Sequence, residues 1–408
     1  MKIFQTTLVW LREFSWLGAD RALAWVRVLA VCNVVVIAGI AVITHGGDRP
    51  DPWGHPFATD FVSFWTAARL AIDGSPEAAW IPALHAAAQA RNFSAGAGYA
   101  PGYFAFFYPP PFLLLCLPLG YLTYGWAATA WLAMTVTAYV TTLRRLLPAR
   151  WPTILIALAY PAALINAGHG QNGFLTTALL ATAALQLDKR PGIAGACLGA
   201  LCFKPQLALM IVPSLLLARR WRSLAWAVAT AVLFCVASLL AFGPAAWQRF
   251  ADNTDLARQT LENGLVSYAK MASTFAAIRL LGGSVDIAFA AQAAVSVTVL
   301  VILLAIVRHR PGAAVEGAAM ALGGCMLTPF LLDYDLMLLI VPLAWIATQA
   351  DRSASLPWEK LVGVMAFMLP LLTRLVAEHV GLPVAPVLMF ALLACFVRRA
   401  RRHLPTLA

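Results

Sequence analysis

The chain predicts an all-α protein that crosses a membrane many times, and three observations carry that prediction. Of 408 residues, 61% are hydrophobic and 12% charged, whereas a soluble domain is roughly half apolar and about a quarter charged. The apolar residues fall into runs of spanning or near-spanning helical length. The charge is also sorted: seven basic clusters hold twenty of the 29 Lys and Arg, at Lys2/Arg12/Arg21/Arg27, Arg144/Arg145/Arg150, Lys189/Arg190, Arg219/Arg220/Arg222, Arg308/Arg310, Arg352/Lys360 and Arg398/Arg399/Arg401/Arg402. By the positive-inside rule these mark the cytoplasmic side of a multi-pass protein of the cell's inner (plasma) membrane. The net charge of +11 then comes from loops beside an anionic leaflet, so the expected partners are membrane lipids and not nucleic acid.

Taken in order, the first apolar run, 27–44, is long for a signal-peptide core and lacks a small-residue cleavage pattern, so it is expected to stay as a helix with its N-terminus inside. The first long outer loop, 45–106, contains DFVSFWTAARLAIDG, where Phe61, Phe64, Trp65, Ala68 and Ile72 follow helical spacing and predict an interfacial helix. Segment 107–122, FYPPPFLLLCLPLGYL, is apolar but short and proline-rich. It is expected to be re-entrant, because a full crossing would reverse every later loop. Spans are then expected at 125–143, 152–167, 173–187, 192–203, 206–218, 223–242, 286–307, 314–329, 336–349, 361–376 and 383–397. A bundle of about 11–13 transmembrane helices results, forming one integral membrane domain over 1–408. A second outer loop, 243–285, carries SYAKMASTFAAIRLLGG and is also expected at the interface. The seven cysteines lie in apolar stretches without zinc-ligand spacing, so they read as small core residues; no cofactor is expected, with a divalent ion on the oxygens of Asp60, Asp333 and Asp335 left open although their spacing is no recognised motif.

Chemistry is concentrated in the first outer loop and three short breaks on the same side. Asp60 begins the aromatic helix. It suits an N-cap, and also a general base whose pKa rises at a water-poor interface; the two roles are compatible. AGHGQNG at 167–173 offers His169, Gln171 and Asn172, which suit a glycine-capped turn or sugar hydroxyls equally. Lys204 lies in KPQ between helices of about a dozen residues, on the order of 18 Å long and too short to cross. It is therefore expected inside the membrane at the bottom of an outward-facing cavity, with no acidic neighbour within helical reach. Its expected partner is an anion from a ligand, such as a lipid phosphate. TPFLLDYD at 328–335 supplies Asp333, Tyr334 and Asp335; Asp335 also suits a helix cap. Arg279 suits a carboxylate, a phosphate or a solvated surface. The run from Tyr108 to Pro111 reads as chemically inert, a rigid entry into the membrane.

In order and spacing, DFVSFWTAARLAIDGSPEAAW, FFYPPPFLLLCLPLGYL, HGQNGFL, FKPQLALMIVPSLLLARRWR and TPFLLDYDLMLLIVPLAWI resemble glycosyltransferase family 87, over roughly residues 60–345. The resemblance implies a GT-C-type membrane enzyme that takes a hexose, typically mannose, from a polyprenyl-phosphate donor. The acceptor would be an extracytoplasmic glycolipid or glycan hydroxyl, and no cofactor is implied. It matches Asp60 to the catalytic base, Lys204 to the donor phosphate and Gln171 to the Gly-Gln of the outer break; Arg279, on its charge alone, is a second candidate for the donor phosphate. The remaining sugar or acceptor candidates are His169, Asn172, Asp333, Tyr334 and Asp335. One departure concerns the last break, where many members carry a Ser-Pro stretch followed by Trp and His; this chain has Thr328, Pro329 and no histidine there. A polyprenyl-lipid flippase or secondary transporter is the alternative, since broken helices and midplane charges also build transport sites.

Overall fold

The computed structural model describes residues 2–44, 46, 49–100 and 102–403. His45, the predicted start of the first long loop, lies outside these, and the Lys2 side chain is also not described. Among the described residues the fold is helical, with one isolated antiparallel bridge, Met271 to Leu332.

Short amphipathic α1 (Lys2–Glu13), not expected from the sequence, precedes α2 (Ala19–Ile43), which is apolar all round yet buries only Ala30. A helix so apolar and so exposed needs lipid around it. Its Asn33 Nδ2 donates to Leu158 O at 2.7 Å, a polar tie to the next layer. The long loop then folds into α3 (Phe61–Ile72) and α4 (Pro82–Asn92). The spacing within α3 is helical as expected, but the helix is not one-faced: Phe61 through Ala68, and Leu70, are all buried. Protein surrounds it because α5 (Pro110–Cys116) and a following 3-10 turn, Leu117–Tyr121, fold back over its outer face, with Trp65 Nε1 donating to Leu122 O at 3.0 Å.

Within 107–122 the chain forms one short helical run, Pro110–Tyr121. At its start the Tyr108 hydroxyl donates to Gln171 Oε1 (3.1 Å), and just past its end the Tyr124 hydroxyl donates to Ala58 O (2.9 Å). Both ends of this short helical run therefore contact the same group of chain breaks, at Ala58 and Gln171.

The remaining helices are α6 (Tyr124–Leu146), α7 (Thr153–Ala159), α8 (Pro161–His169), α9 (Gly173–Gln186), α10 (Pro191–Ala200), α11 (Ala208–Leu217), α12 (Trp221–Asp252), α13 (Thr254–Glu262), α14 (Thr274–Leu280), α15 (Val285–Val307), α16 (Ala313–Met326), α17 (Ile340–Ser353), α18 (Glu359–Val380) and α19 (Val384–Ala400). Among the described residues four helical runs are long and apolar enough to cross a membrane by length and composition: α2, the run from Trp221, which breaks at Gly243 (φ +73), α15 and α18. Most other predicted spans are shorter or broken. Pro161 forces Tyr160 out of helical conformation and splits 152–167 into α7 and α8. Gly195 and Gly199 let α10 lie directly against α12: a Cβ on either would come within 2.2 Å of a backbone oxygen of Ser223 or Ala227.

The basic clusters are cross-linked at one end of the bundle. Arg220 bridges Asp188 (2.6 Å) and Glu316 (2.9 Å). Arg150 pairs with Asp351, and buried Arg399 forks onto Glu359 while donating to Ser353 Oγ (2.7 Å). Helices α6, α9, α10 and α16 run from these loops to the opposite end, where the chain breaks gather.

Candidate active site

At that opposite end α3 starts under strain. Ala58 sits at φ +55 in the left-handed region, unusual for a residue with a Cβ. It is held there by Tyr124 on its carbonyl and by Gly170, whose own φ is +65. A Cβ at 170 would lie 2.7 Å from the Cβ atoms of Ala58 and Phe61, so only glycine permits this approach. The consequence is the position of Asp60. Its amide donates to His169 O at 2.9 Å, tying α3 to the α8 break, and its carboxylate makes no capping bond to α3. Of the two roles open from sequence, the cap is thereby corrected. Asp60 has helical backbone angles, so its carboxylate cannot reach back to the first amides and instead turns to the break. Oδ2 accepts from Gln171 Nε2 (3.0 Å), and Oδ1 lies 3.4 Å from Thr59 Oγ1 and 3.5 Å from His169 Nδ1.

Asp60 and Gln171 line a cavity of about 590 Å³ together with Tyr108, Lys204, Tyr334 and Asp335; much of the remaining wall is aromatic or aliphatic, including Phe107, Phe203, Phe250, Phe330, Leu265 and Val266. Lys204 sits at the turn between two 3-10 turns, Leu201–Phe203 and Pro205–Leu207, which cap α10 and α11, and its side chain is 6% exposed. The expectation that its counter-charge must come from a ligand is corrected. Asp335, 131 residues away, places Oδ1 2.5 Å from Lys204 Nζ. Asp335 also accepts from Leu332 N through Oδ2 (3.2 Å), so it turns its own chain while pairing with the lysine.

Several predicted residues stand back from the cavity. His169 lies behind Asp60, its Nδ1 2.9 Å from Thr59 Oγ1. The expected rise in the Asp60 pKa is corrected: burial works to raise it, but the hydrogen bond and charge of His169, with Gln171, outweigh burial and hold the carboxyl below its ordinary 3.8. Conversely, burial works to lower His169, and Asp60 outweighs it, so the ring is held above 6.5. Asn172 is fully buried beneath the turn. Asp333 is buried with Oδ1 accepting its neighbour Tyr334 N (2.9 Å) and Oδ2 without a partner, and burial raises it. Arg279 is not brought to the cavity at all: its guanidinium donates to Gly283 O (2.7 Å) and Tyr268 OH (3.2 Å) and lies over the Tyr268 ring, where it fastens the second loop. Among the described residues no group of three His, Cys, Asp or Glu is arranged to hold a metal ion.

Two residues escaped the sequence reading. Tyr108, read as part of an inert run, contributes its hydroxyl to the cavity and to Gln171. Asn166 staples the break, donating to Gln171 O (3.1 Å) and accepting from Gly173 N (2.7 Å). An asparagine inside an apolar helical run, one turn before a glycine-rich break, was the available signal for it. Ala272 N donates to Leu331 O (2.8 Å), so the second long loop docks on the 328–335 break and brings Lys270 into the electrostatic surroundings of Asp60, His169 and Asp333.

The family model for glycosyltransferase family 87 matches residues 106–342. The match takes in Gln171, Lys204 and Asp335 and begins after Asp60. No curated protein and no solved structure matches the chain.

Proposed function

The chain belongs to glycosyltransferase family 87 and is thus a membrane glycosyltransferase, and we propose that it moves a hexose, by the resemblance mannose, from a polyprenyl-phosphate donor to a hydroxyl of a glycolipid or glycan on the extracytoplasmic side. One observation carries this reading: a carboxylate released from helix capping, Asp60, and a buried ammonium, Lys204, line the same cavity, whose other walls are largely aromatic and aliphatic. A lipid-linked donor asks for that combination. Its tail is apolar, its phosphate is anionic, and the attacking hydroxyl needs a base.

In this mechanism Asp60 takes the proton of the acceptor hydroxyl as that oxygen attacks the anomeric carbon, and the bond to the phosphate oxygen breaks from the opposite face, so the configuration inverts. Gln171 holds the second carboxylate oxygen and is itself held by Tyr108. The donor phosphate takes a share of Lys204 from Asp335, and the ammonium stabilises the charge of the departing polyprenyl phosphate. The basic clusters at the far end support an extracytoplasmic site through the positive-inside rule.

The test is transfer in vitro by purified protein, with a panel of radiolabelled polyprenyl-phosphate sugars and glycolipid acceptors. Inverted product from a hexose donor is the expected result. Binding of intact lipid with no transfer from any donor would instead support the flippase or transporter reading.

A further inference from the structure

Thr59 and His169 stand together behind the carboxylate, and neither lines the cavity. The Thr59 hydroxyl lies 2.9 Å from His169 Nδ1 and 3.4 Å from Asp60 Oδ1, so one hydroxyl joins the ring to the carboxylate. The other carboxylate oxygen is already occupied by Gln171. Three backbone features hold this geometry: the left-handed turn at Ala58, the Asp60 amide bond to His169 O, and Gly170 closing on Ala58. So much restraint exceeds what starting a helix requires, and strain of this kind at a turn carrying a carboxylate is a feature of functional sites.

We propose that Thr59 and His169 are positioning residues that orient Asp60 and carry away the proton it takes from the acceptor. The proposal rests on the reading of Asp60 as the base. Above the raised His169 pKa the ring is neutral, and in the tautomer with its proton on Nε2 the Thr59 hydroxyl turns from Asp60 Oδ1 to donate to Nδ1. When the acceptor hydroxyl gives its proton to the Asp60 carboxylate, the glycosidic bond forms and polyprenyl phosphate leaves with the electron pair of the broken bond. The carboxyl proton then passes from Oδ1 to Thr59 Oγ1 while the hydroxyl's own proton moves to His169 Nδ1. Asp60 is again a carboxylate, His169 is an imidazolium, and the ring returns its extra proton to water. The other groups acting on the ring are Asp333, the Lys270 ammonium and the Tyr334 ring, whose centroid is 6.1 Å away. The downward hold on Asp60 and the upward hold on His169 both drive the proton toward the ring.

The relay makes turnover depend on a neutral ring, so kcat in the native enzyme falls as pH drops through the raised His169 pKa. The experiment measures kcat and KM against pH for Thr59→Val, Thr59→Ser, His169→Gln and Asp60→Asn, with thermal stability of each. Thr59→Val and His169→Gln are expected to lower kcat roughly 10-fold or more with KM little changed. His169→Gln is also expected to move the acid limb down to the carboxylate range, and Thr59→Ser, which keeps the hydroxyl, to restore the native rate. A native kcat and an unmoved acid limb in Thr59→Val and His169→Gln, alongside an inactive Asp60→Asn, would overturn the relay and leave the base standing. Native transfer by Asp60→Asn would remove the base itself.

Discussion

Lys204 Nζ and Asp335 Oδ1 lie 2.5 Å apart across 131 residues of sequence, joining the turn between α10 and α11 to the last chain break. The two side chains are only 6% and 15% exposed, so each neutralises a charge the other could not bury alone. A lysine already paired is not an empty socket for phosphate. In the proposed mechanism it is a cation shared between a fixed carboxylate and an incoming phosphate, which makes donor binding and the architecture of the site interdependent.

That relationship predicts a non-additive pair of variants. Lys204→Met alone leaves Asp335 uncompensated and is expected to cost about 3 kcal/mol or more of stability. Adding Asp335→Leu is expected to recover most of that loss in thermal unfolding, while donor affinity stays about 2 kcal/mol weaker than native. Native donor affinity in the double variant would show that the lysine serves the fold alone.

Gly170→Ala is expected to damage both stability and transfer. Positive φ costs roughly 1–2 kcal/mol for a residue with a Cβ, and the new methyl would press on Ala58 and Phe61, the residues that set Asp60. Unfolding temperature and transfer rate measured together check this; a native rate would mean that the α3 entry tolerates displacement.

The Asp60 and His169 pair gives stability a pH signature. Asp60 is held below 3.8, so its contribution is complete above that value and is lost as pH falls through the lower folded pKa. His169 is held above 6.5, so its contribution is complete below 6.5 and is lost as pH rises through the raised folded pKa. Thermal unfolding against pH is expected to show both flanks in the native protein and to lose the alkaline one in His169→Gln. An alkaline flank that persists in the variant would assign it to another group. The relay predicts the opposite slope for activity over the same alkaline range, since turnover needs the ring neutral.

How much of this was legible in the sequence follows from the range of each cause. The membrane class, the charge sorting and the break that buries Lys204 between two short helices rest on local composition and helix length, and these are written along the chain. The shortness of the helical run in 107–122 was signalled by its prolines. The partner of Lys204 was not legible, because helical reach says nothing about a carboxylate 131 residues on. Nor was the enclosure of α3, since apolar spacing identifies a buried face without saying whether lipid or protein covers the rest. Tyr108 was passed over for its proline neighbours and Arg279 was favoured for its charge. Only tertiary contacts reveal that the tyrosine hydroxyl faces the site and the guanidinium is used up by the carbonyls and hydroxyl of its own loop.

Sidedness is open to direct chemistry. In a background without native cysteines, Gln259→Cys in α13 and Arg352→Cys in α17 both replace exposed residues, near the cavity and in the ionic loops respectively. An impermeant thiol reagent is expected to label position 259 in intact cells and position 352 only after the membrane is opened. The reverse pattern would turn the whole bundle over.

The central claim is that Asp60 is the base of sugar transfer. Sugar transfer by Asp60→Asn, measured beside its thermal stability, tests it most directly. Because the carboxylate caps nothing, the amide is expected to leave stability within about 1 kcal/mol of native, while turnover falls roughly 100-fold or more, the scale of losing a positioned base. Transfer near the native rate by this stably folded variant would contradict the account.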